Sequence, residues 1–400
     1  MTDLYHRKMS SSPESFAHFL KSQGPVFWAE AEQIWVLTDH ELAQGVLKSP
    51  DFSADRSSFF MAKISGCPFA KVSNFFGVVK KMMVTSDPPH HTARRRLGNS
   101  GITDHILDRF LPQVDAVVNE LINQLPRTFS FDFVEKVALP LPNIVLADLF
   151  SIPTDKRKDF YLWSNHMTQF FGGASDNLEL DAFNADSGAA HLRDYFKQLM
   201  QERREQPQDD FISHLLRSQG SLDDDEVVSQ AAIMLVAGTV TTTDQICNNL
   251  HTFLQNNIWR DLVQNPGLLE KAIEEATRLD PSVNFIFRIA KKDMTLNGAS
   301  IKAGQLVFVA NHAVNRDDNV FTKPHEFVLN RDRNPHLSYG AGIHYCLGAR
   351  LGRIQMQRLF TRLLQDFPDL SLDTSQVSLR KHQSLAFSGF ENLHLTTESL

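Results

Sequence analysis

Leu337-Ser338-Tyr339-Gly340-Ala341-Gly342-Ile343-His344-Tyr345-Cys346-Leu347-Gly348 is the stretch on which the reading of this chain turns. Two glycines precede Cys346 and a third follows, so the backbone can lie close against a flat surface. A helical pattern runs over 347–367 and puts Cys346 at a helix start, where the positive end of the peptide dipole favours a thiolate over a thiol. Taken alone, the segment fits two readings. One is a reactive or ligating thiolate, the other an inert cysteine buried at a helix start.

The rest of the chain bounds the choice. Its 400 residues are 42% hydrophobic and 22% charged, the balance of a globular protein. A net charge of −7 without any long Lys/Arg block excludes a nucleic-acid partner. The first dozen residues are polar, no signal-length apolar stretch follows, and no run approaches the roughly 18–20 apolar residues of a membrane span. A cytoplasmic protein with no membrane span is the expectation. Cys67, Cys247 and Cys346 are odd in number and far apart, which argues against a disulfide framework. Phenylalanine, at 30 copies against 5 Tyr and 4 Trp, supplies large apolar contacts with few polar handles, suited to a greasy pocket or a large core.

Upstream, Val26-Phe27-Trp28 and Ile34-Trp35-Val36-Leu37 read as a hairpin, and Asp39 caps a helix ending near Lys48. Over 57–84 periodicity is lost while Phe59, Phe60, Phe69, Phe75 and Phe76 accumulate, the pattern of a long apolar loop that covers something. Asp87-Pro88-Pro89 starts a helix, and helical patterns follow to 125 and over 143–150, 155–171, 185–204 and 209–216. Ser221 with Asp224 resembles a capping pair before the longest helical pattern of the chain, which extends past Gln255. Asn265-Pro266 opens a helix that Asp280-Pro281 stops. Strand-type segments follow at 284–290, 294–296 and 306–309, then a turn-rich stretch over 315–339. Repeats, low-complexity tracts and linkers are absent. The expected fold class is mainly α with a small β portion, in one domain spanning 1–400.

The cysteine stretch resembles the haem-binding signature of the cytochrome P450 family, through Tyr339, Gly340, His344, Cys346 and Gly348; the aromatic position is more often Phe in that family. Further motifs of the family stand upstream in order. Glu275 and Arg278 resemble its E-x-x-R pair, three apart and so on one helix face, with Arg331 as the implied further partner. His91 and Arg95, four apart in Asp87-Pro88-Pro89-His90-His91-Thr92-Ala93-Arg94-Arg95, project together as donors to a carboxylate. The resemblance implies that they meet the haem propionates, with Arg288 and His344 completing the set. Without it, Arg288 reads as a solvent-facing strand residue. Ala237-Gly238-Thr239-Val240-Thr241-Thr242 resembles the oxygen-binding groove of the long central helix. Small residues there leave room, and the Thr241 hydroxyl is the candidate to pass protons to oxygen; threonines bonded back to the preceding turn also bend helices.

The resemblance implies a cytochrome P450 fold, a long central helix over a buried haem b, with Cys346 as iron ligand. It further implies a monooxygenase that activates O2 to oxidise a hydrophobic small molecule in secondary metabolism, the substrate free or bound to a carrier protein. Electrons would come from a separate ferredoxin and ferredoxin reductase, docked on a positive face of Arg94, Arg96, Arg350 and Arg353. One position departs: the acid that usually precedes the threonine is Val240. Either Asp244, one turn on, substitutes, or the same haem site performs ring closure, desaturation, phenol coupling or peroxide-driven chemistry. The implied pocket walls are 59–76, 167–171, Met234, Val240, 284–287 and 387–390. Cys67 and Cys247 lack a ligand setting and read as structural.

Overall fold

The computed structural model describes residues 3–9, 11–55, 72–127, 130–172, 177–381 and 384–397. Phe59, Phe60, Phe69 and Cys67, assigned above to the apolar loop or to structural roles, lie outside those residues. Helices dominate, with a small strand portion. The chain forms two compact units, each from separated stretches: Met1–Phe52, Asp115–Leu141 and Thr241–Leu400 make the first, Ser53–Val114 and Pro142–Val240 the second.

The first unit is organised on a mixed sheet. Val26–Ala29 pairs antiparallel with Ile34–Leu37, which pairs parallel with Leu306–Ala310, which pairs antiparallel with Phe285–Ala290. Because strand side chains alternate, the sheet feeds two apolar clusters. Ile34 and Val36 join Phe16, Leu20, Phe285 and Phe308 on one side. Trp35 and Leu37 join Leu47, Val307, Val309, Leu337 and Ala341 on the other. Leu337 and Ala341 belong to the cysteine stretch, so this second cluster anchors it. Burying a leucine side chain of this kind is worth about 1.5–3 kcal/mol. A further hairpin joins Met294–Leu296 to Ala299–Ile301, a strand the periodicity missed. Its turn is Asn297-Gly298 with φ of 47° and 83°, the left-handed pair that Asn-Gly favours.

Helix Leu269–Leu279 carries the acid and base of the E-x-x-R motif, both buried. Arg278 Nε and Nη2 donate to the Glu275 carboxylate at 2.9 and 2.8 Å, and Arg331 Nε and Nη2 donate to the same two oxygens at 2.9 and 3.0 Å. Arg331 therefore shares the acid, while the remaining N–H groups of Arg278 go to the carbonyls of Asn315, Pro324 and Glu326. Burial opposes ionisation of Glu275, but the two arginines hold its carboxyl below the usual range.

The second unit is helical. Phe150, Phe160, Phe196 and Phe211 pack ring to ring, with centroids 4.7–6.0 Å apart, so part of the phenylalanine excess is core. Helices Arg157–Gly172 and Leu178–Glu205 approach so closely at Gly188 that a Cβ there would lie 2.7 Å from the Trp163 carbonyl oxygen. Within the stretch expected to be a loop, Ser73–Val79 is a helix. Its first amides are capped from a distant helix: Asp186 Oδ1 accepts from Asn74 and Phe75 N–H at 2.8 and 3.0 Å. The N-terminus expected at Ser221 with Asp224 is instead a capping box of Asp223 and Glu226.

The long central helical pattern is two helices, Asp224–Gly238 and Val240–Gln255, interrupted within the threonine run where a bend was expected. The break falls at Thr239, whose hydroxyl donates back to the Leu235 carbonyl at 3.2 Å. Gly238 sits where a Cβ would come within 2.9 Å of Leu146. Among the described residues no helix is long and apolar enough to cross a membrane. Glu275→Gln, which leaves two buried guanidinium groups without a full counter-charge, is expected to cost about 3–5 kcal/mol of stability, read as a lower denaturant midpoint. A loss under about 1 kcal/mol would contradict the role given to this carboxylate.

Candidate active site

In the first unit the cysteine stretch is a tight loop. Gly340 and Gly342 have φ of +72° and +71°, the region that L side chains rarely adopt. A Cβ on Gly342 would lie 2.8 Å from the Leu47 carbonyl oxygen, so the loop rests on the end of helix His40–Lys48. The Cys346 N–H donates to the Tyr339 carbonyl at 2.9 Å and closes the loop. The following helix is Ala349–Asp366 with Gly348 as its cap, so Cys346 precedes the helix instead of opening it. Its side chain is exposed. Cys247, by contrast, is fully buried, and burial pushes its thiol up, as expected of a structural cysteine.

A set of polar contacts that sequence reading missed fixes this loop. Asn315 accepts from the Leu337 N–H at 2.8 Å and donates to the Ser338 hydroxyl at 2.9 Å, while Ser338 donates to the Thr277 carbonyl at 2.8 Å. Since Arg278 donates to the Asn315 carbonyl, the E-x-x-R helix and the cysteine loop are coupled through one asparagine. Nothing in the sequence marks Asn315, which stands in a turn-rich stretch.

Tyr339 lies under the guanidinium of Arg353, 4.3 Å from its centroid. Arg353 in turn donates to both oxygens of Glu274 at 2.7 and 2.8 Å, and His336 stands 3.3 Å from the same acid. Burial opposes it, but Arg353 and His336 hold the Glu274 carboxyl down at about 2. Arg353 is thus committed to an internal pair, and so is Arg94 in the second unit, which bonds Glu226 at 2.9 Å and the Ser86 hydroxyl at 2.6 Å. Two of the four arginines expected to form a positive docking face serve inside their own units. Arg96 is exposed.

Arg288, which without the family resemblance reads as solvent-facing, is only 6% exposed on strand Phe285–Ala290. His344 is half-buried. In the second unit His91 is 3% exposed on helix His90–Ser100, with Arg95 half-buried one turn on and His90 exposed. Every residue of Val227–Val236 is buried, yet Ala237 is exposed. Val240 and Thr241 are half-buried, and Asp244 is fully buried. Of the implied pocket walls, Met167, Phe170, Met234, Phe285 and Phe390 are core. Asn284 holds the turn 384–388, donating to the Leu385 and Phe387 carbonyls, both at 2.9 Å.

The residues present fit a haem. In the first unit one exposed sulfur stands ahead of a helix start, glycine-permitted turns form its loop, and Arg288 and His344 are N–H donors of the type that binds propionates; the second unit, taken by itself, carries donors of the same type in His91 and Arg95. The Tyr339 hydroxyl is buried without a hydrogen-bond partner, so the ring serves the loop as an apolar face.

The family model described as Cytochrome P450 matches residues 4–258 and 244–388. Among curated proteins the chain is similar to cytochrome P450 CYP107DY1 of Priestia megaterium, 32% identical over 84% of this chain and 83% of that protein. It is also similar to the polyketide biosynthesis cytochrome P450 PksS of Bacillus subtilis, 29% identical over 90% and 88%. Among solved structures, P450BioI in complex with an acyl carrier protein ligated to hexadec-9Z-enoic acid superposes with a TM-score of 0.88 at 28% identity, covering 97% of this chain and 99% of that one.

The Glu274 pair has a pH signature. With a folded carboxyl near 2 against an ordinary 4.5, its contribution is complete above pH 4.5 and lost as pH falls through 2. Arg353→Met removes that contribution, so the wild type's advantage, about 1–3 kcal/mol at neutral pH, narrows between pH 5 and 2. An advantage constant over that range would contradict the pairing.

Proposed function

The chain belongs to the cytochrome P450 family and is a haem b monooxygenase, and from that premise we propose that Cys346 is the thiolate ligand of the haem iron. The observation that carries this is the exposed Cys346 sulfur in a loop whose two left-handed glycines and closing Tyr339–Cys346 hydrogen bond leave it little freedom. Tyr339, Gly340, His344 and Gly348 shape that loop around the cofactor. His91, Arg95, Arg288 and His344 are the proposed propionate donors, and Ala237 gives room beside the cofactor face.

The haem, when bound, supplies oxygen activation, with the thiolate donating electron density that favours O–O cleavage. The Thr241 hydroxyl holds and passes protons at its Oγ1. The break at Thr239 supports this, because it interrupts the helix two residues before that hydroxyl. Apolar residues exclude water and orient the substrate, a hydrophobic small molecule of secondary metabolism. A relative named for polyketide biosynthesis supports that class. The likeness to P450BioI with its acyl-carrier-protein ligand supports a substrate tethered to a carrier protein. Electrons come from a separate ferredoxin and ferredoxin reductase, in the cytoplasm.

Val240 favours a second reading of the reaction at the same site: ring closure, desaturation, coupling or peroxide-driven chemistry. Labelled dioxygen separates the two. With a surrogate ferredoxin and reductase, product from a lipophilic or carrier-bound acyl probe is expected to contain one oxygen atom from O2. Product formed at full yield without label would select the second reading. Thr241→Ala is expected to lower product per electron on the order of 10²-fold while raising peroxide; unchanged coupling would remove Thr241 from the mechanism.

A further inference from the structure

Helix Pro13–Ser22 places Phe16 and Leu20 in an apolar cluster of the first unit, which leaves Glu14 and His18, four residues apart, together on its outer face. His325 meets them from the turn at 322–326. Among the described residues these make the one group of three histidine, cysteine or acidic side chains whose ligating atoms all lie within 4.8 Å of one another. His18 Nε2 stands 3.8 Å from Glu14 Oε1. The His18 and His325 rings are stacked, with centroids 4.2 Å apart and planes 10° from parallel. His325 Nδ1 is buried and has no hydrogen-bond partner, a polar atom that a bound cation would satisfy.

One side of this group is rigid and the other is free to adjust. The carbonyls on either side of His325, those of Pro324 and Glu326, accept from Arg278 at 2.7 and 3.1 Å, and Arg331 donates to the Thr322 carbonyl at 2.8 Å. The turn is therefore pinned by the same two arginines that share Glu275. His18 and Glu14, by contrast, have side chains 58% and 59% exposed and can rotate without breaking a buried contact. Ligands around a tetrahedral zinc ion lie about 2.0–2.1 Å from the metal and so about 3.3 Å from one another. Rotation of the two exposed side chains toward His325 brings the observed spacing to that value.

The charges nearby suit a cation held by neutral imidazoles. Burial, followed by His18, Arg316 and Lys21, lowers the His325 pKa against the pull of Asp318, which leaves the ring nitrogen free to coordinate. Lys21 is engaged with Asp318 at 2.8 Å and Lys323 with Glu326 at 2.8 Å, so both neighbouring ammonium groups already have counter-charges. Two imidazoles and one carboxylate select zinc and the neighbouring transition ions over calcium or magnesium, which prefer oxygen ligands throughout.

We propose that Glu14, His18 and His325 form a binding site for one divalent cation of the zinc class, which ties helix Pro13–Ser22 to the turn held by Arg278 and Arg331. Lys21 gives the same helix a metal-independent tie to the next stretch, donating to the Arg316 carbonyl at 2.6 Å. The cation adds a second tie one turn earlier. Because it binds the folded chain only, it couples zinc concentration to stability on the side of the unit that carries the E-x-x-R set.

The test uses full-length, tag-free, haem-loaded protein and zinc chloride as the probe. Calorimetric titration of the wild type is expected to give one zinc per chain, with calcium and magnesium giving none. His18→Ala and His325→Ala should each weaken that binding by at least about 10–100-fold, the loss that even an outer partner of a ligand causes, and Glu14→Gln should weaken it less. Zinc-edge X-ray absorption of the one-to-one complex should show two imidazoles in the coordination shell. At 100 times Kd, zinc should raise the wild-type Tm by about 3 °C and leave that of His325→Ala unmoved. Should His325→Ala fold poorly, His18→Ala on the exposed helix face gives the same comparison. A wild type that binds no zinc overturns the proposal, as does a one-to-one site that survives both histidine variants or a coordination shell with fewer than two imidazoles.

Discussion

A buried carboxylate shared between two arginines is the constraint on which the cysteine loop depends. Glu275 accepts four charge-assisted hydrogen bonds from Arg278 and Arg331, and those bonds offset the desolvation of three charges only because the geometry is bidentate on both sides. The remaining donors of Arg278 reach backbone carbonyls in the stretch that precedes the cysteine loop. Asn315 then carries the order into the loop by bonding Leu337 and Ser338. Apolar burial of Leu337 and Ala341 against the sheet supplies the adhesive energy, and the polar chain supplies direction. Hydrophobic contact alone would hold the loop without fixing where its sulfur points.

Much of the architecture is legible in the sequence because local signals agree with the fold. Asp39 caps its helix, Asn265-Pro266 and Asp280-Pro281 bracket the E-x-x-R helix, and apolar β-type runs give the central strands. The misses have physical causes. Ser73–Val79 lacks a capping side chain of its own, since Asp186 caps it from far along the chain, so no local pattern announces a helix. Ala299–Ile301 is too short for alternation to register, although Asn297-Gly298 was a usable hairpin signal. The break in the long central pattern, by contrast, is signalled by its threonines, and the Thr239 hydroxyl does bond back to Leu235 while the apolar periodicity runs on undisturbed.

The site shows the same division. Cys346, its glycines, and the Glu275–Arg278–Arg331 set are legible as types at fixed spacings. The supporting layer is not, since Asn315, His336 and Glu274 are ordinary residues made important by three-dimensional neighbours. Charge also misleads when read in one dimension. Arg94 and Arg353 look like surface cations in the sequence, yet each is committed to an acid inside its unit. Asp244 looks like a helix-surface acid and is wholly buried.

Sulfur-to-iron coordination at one side chain is the central claim, and optical spectroscopy of the reduced protein under carbon monoxide tests it most directly. The wild type with haem supplied should display the red-shifted Soret band that thiolate ligation produces, and Cys346→Ala should lose it while still folding. A wild type without that band, or a Cys346→Ala protein that retains it, would contradict the account.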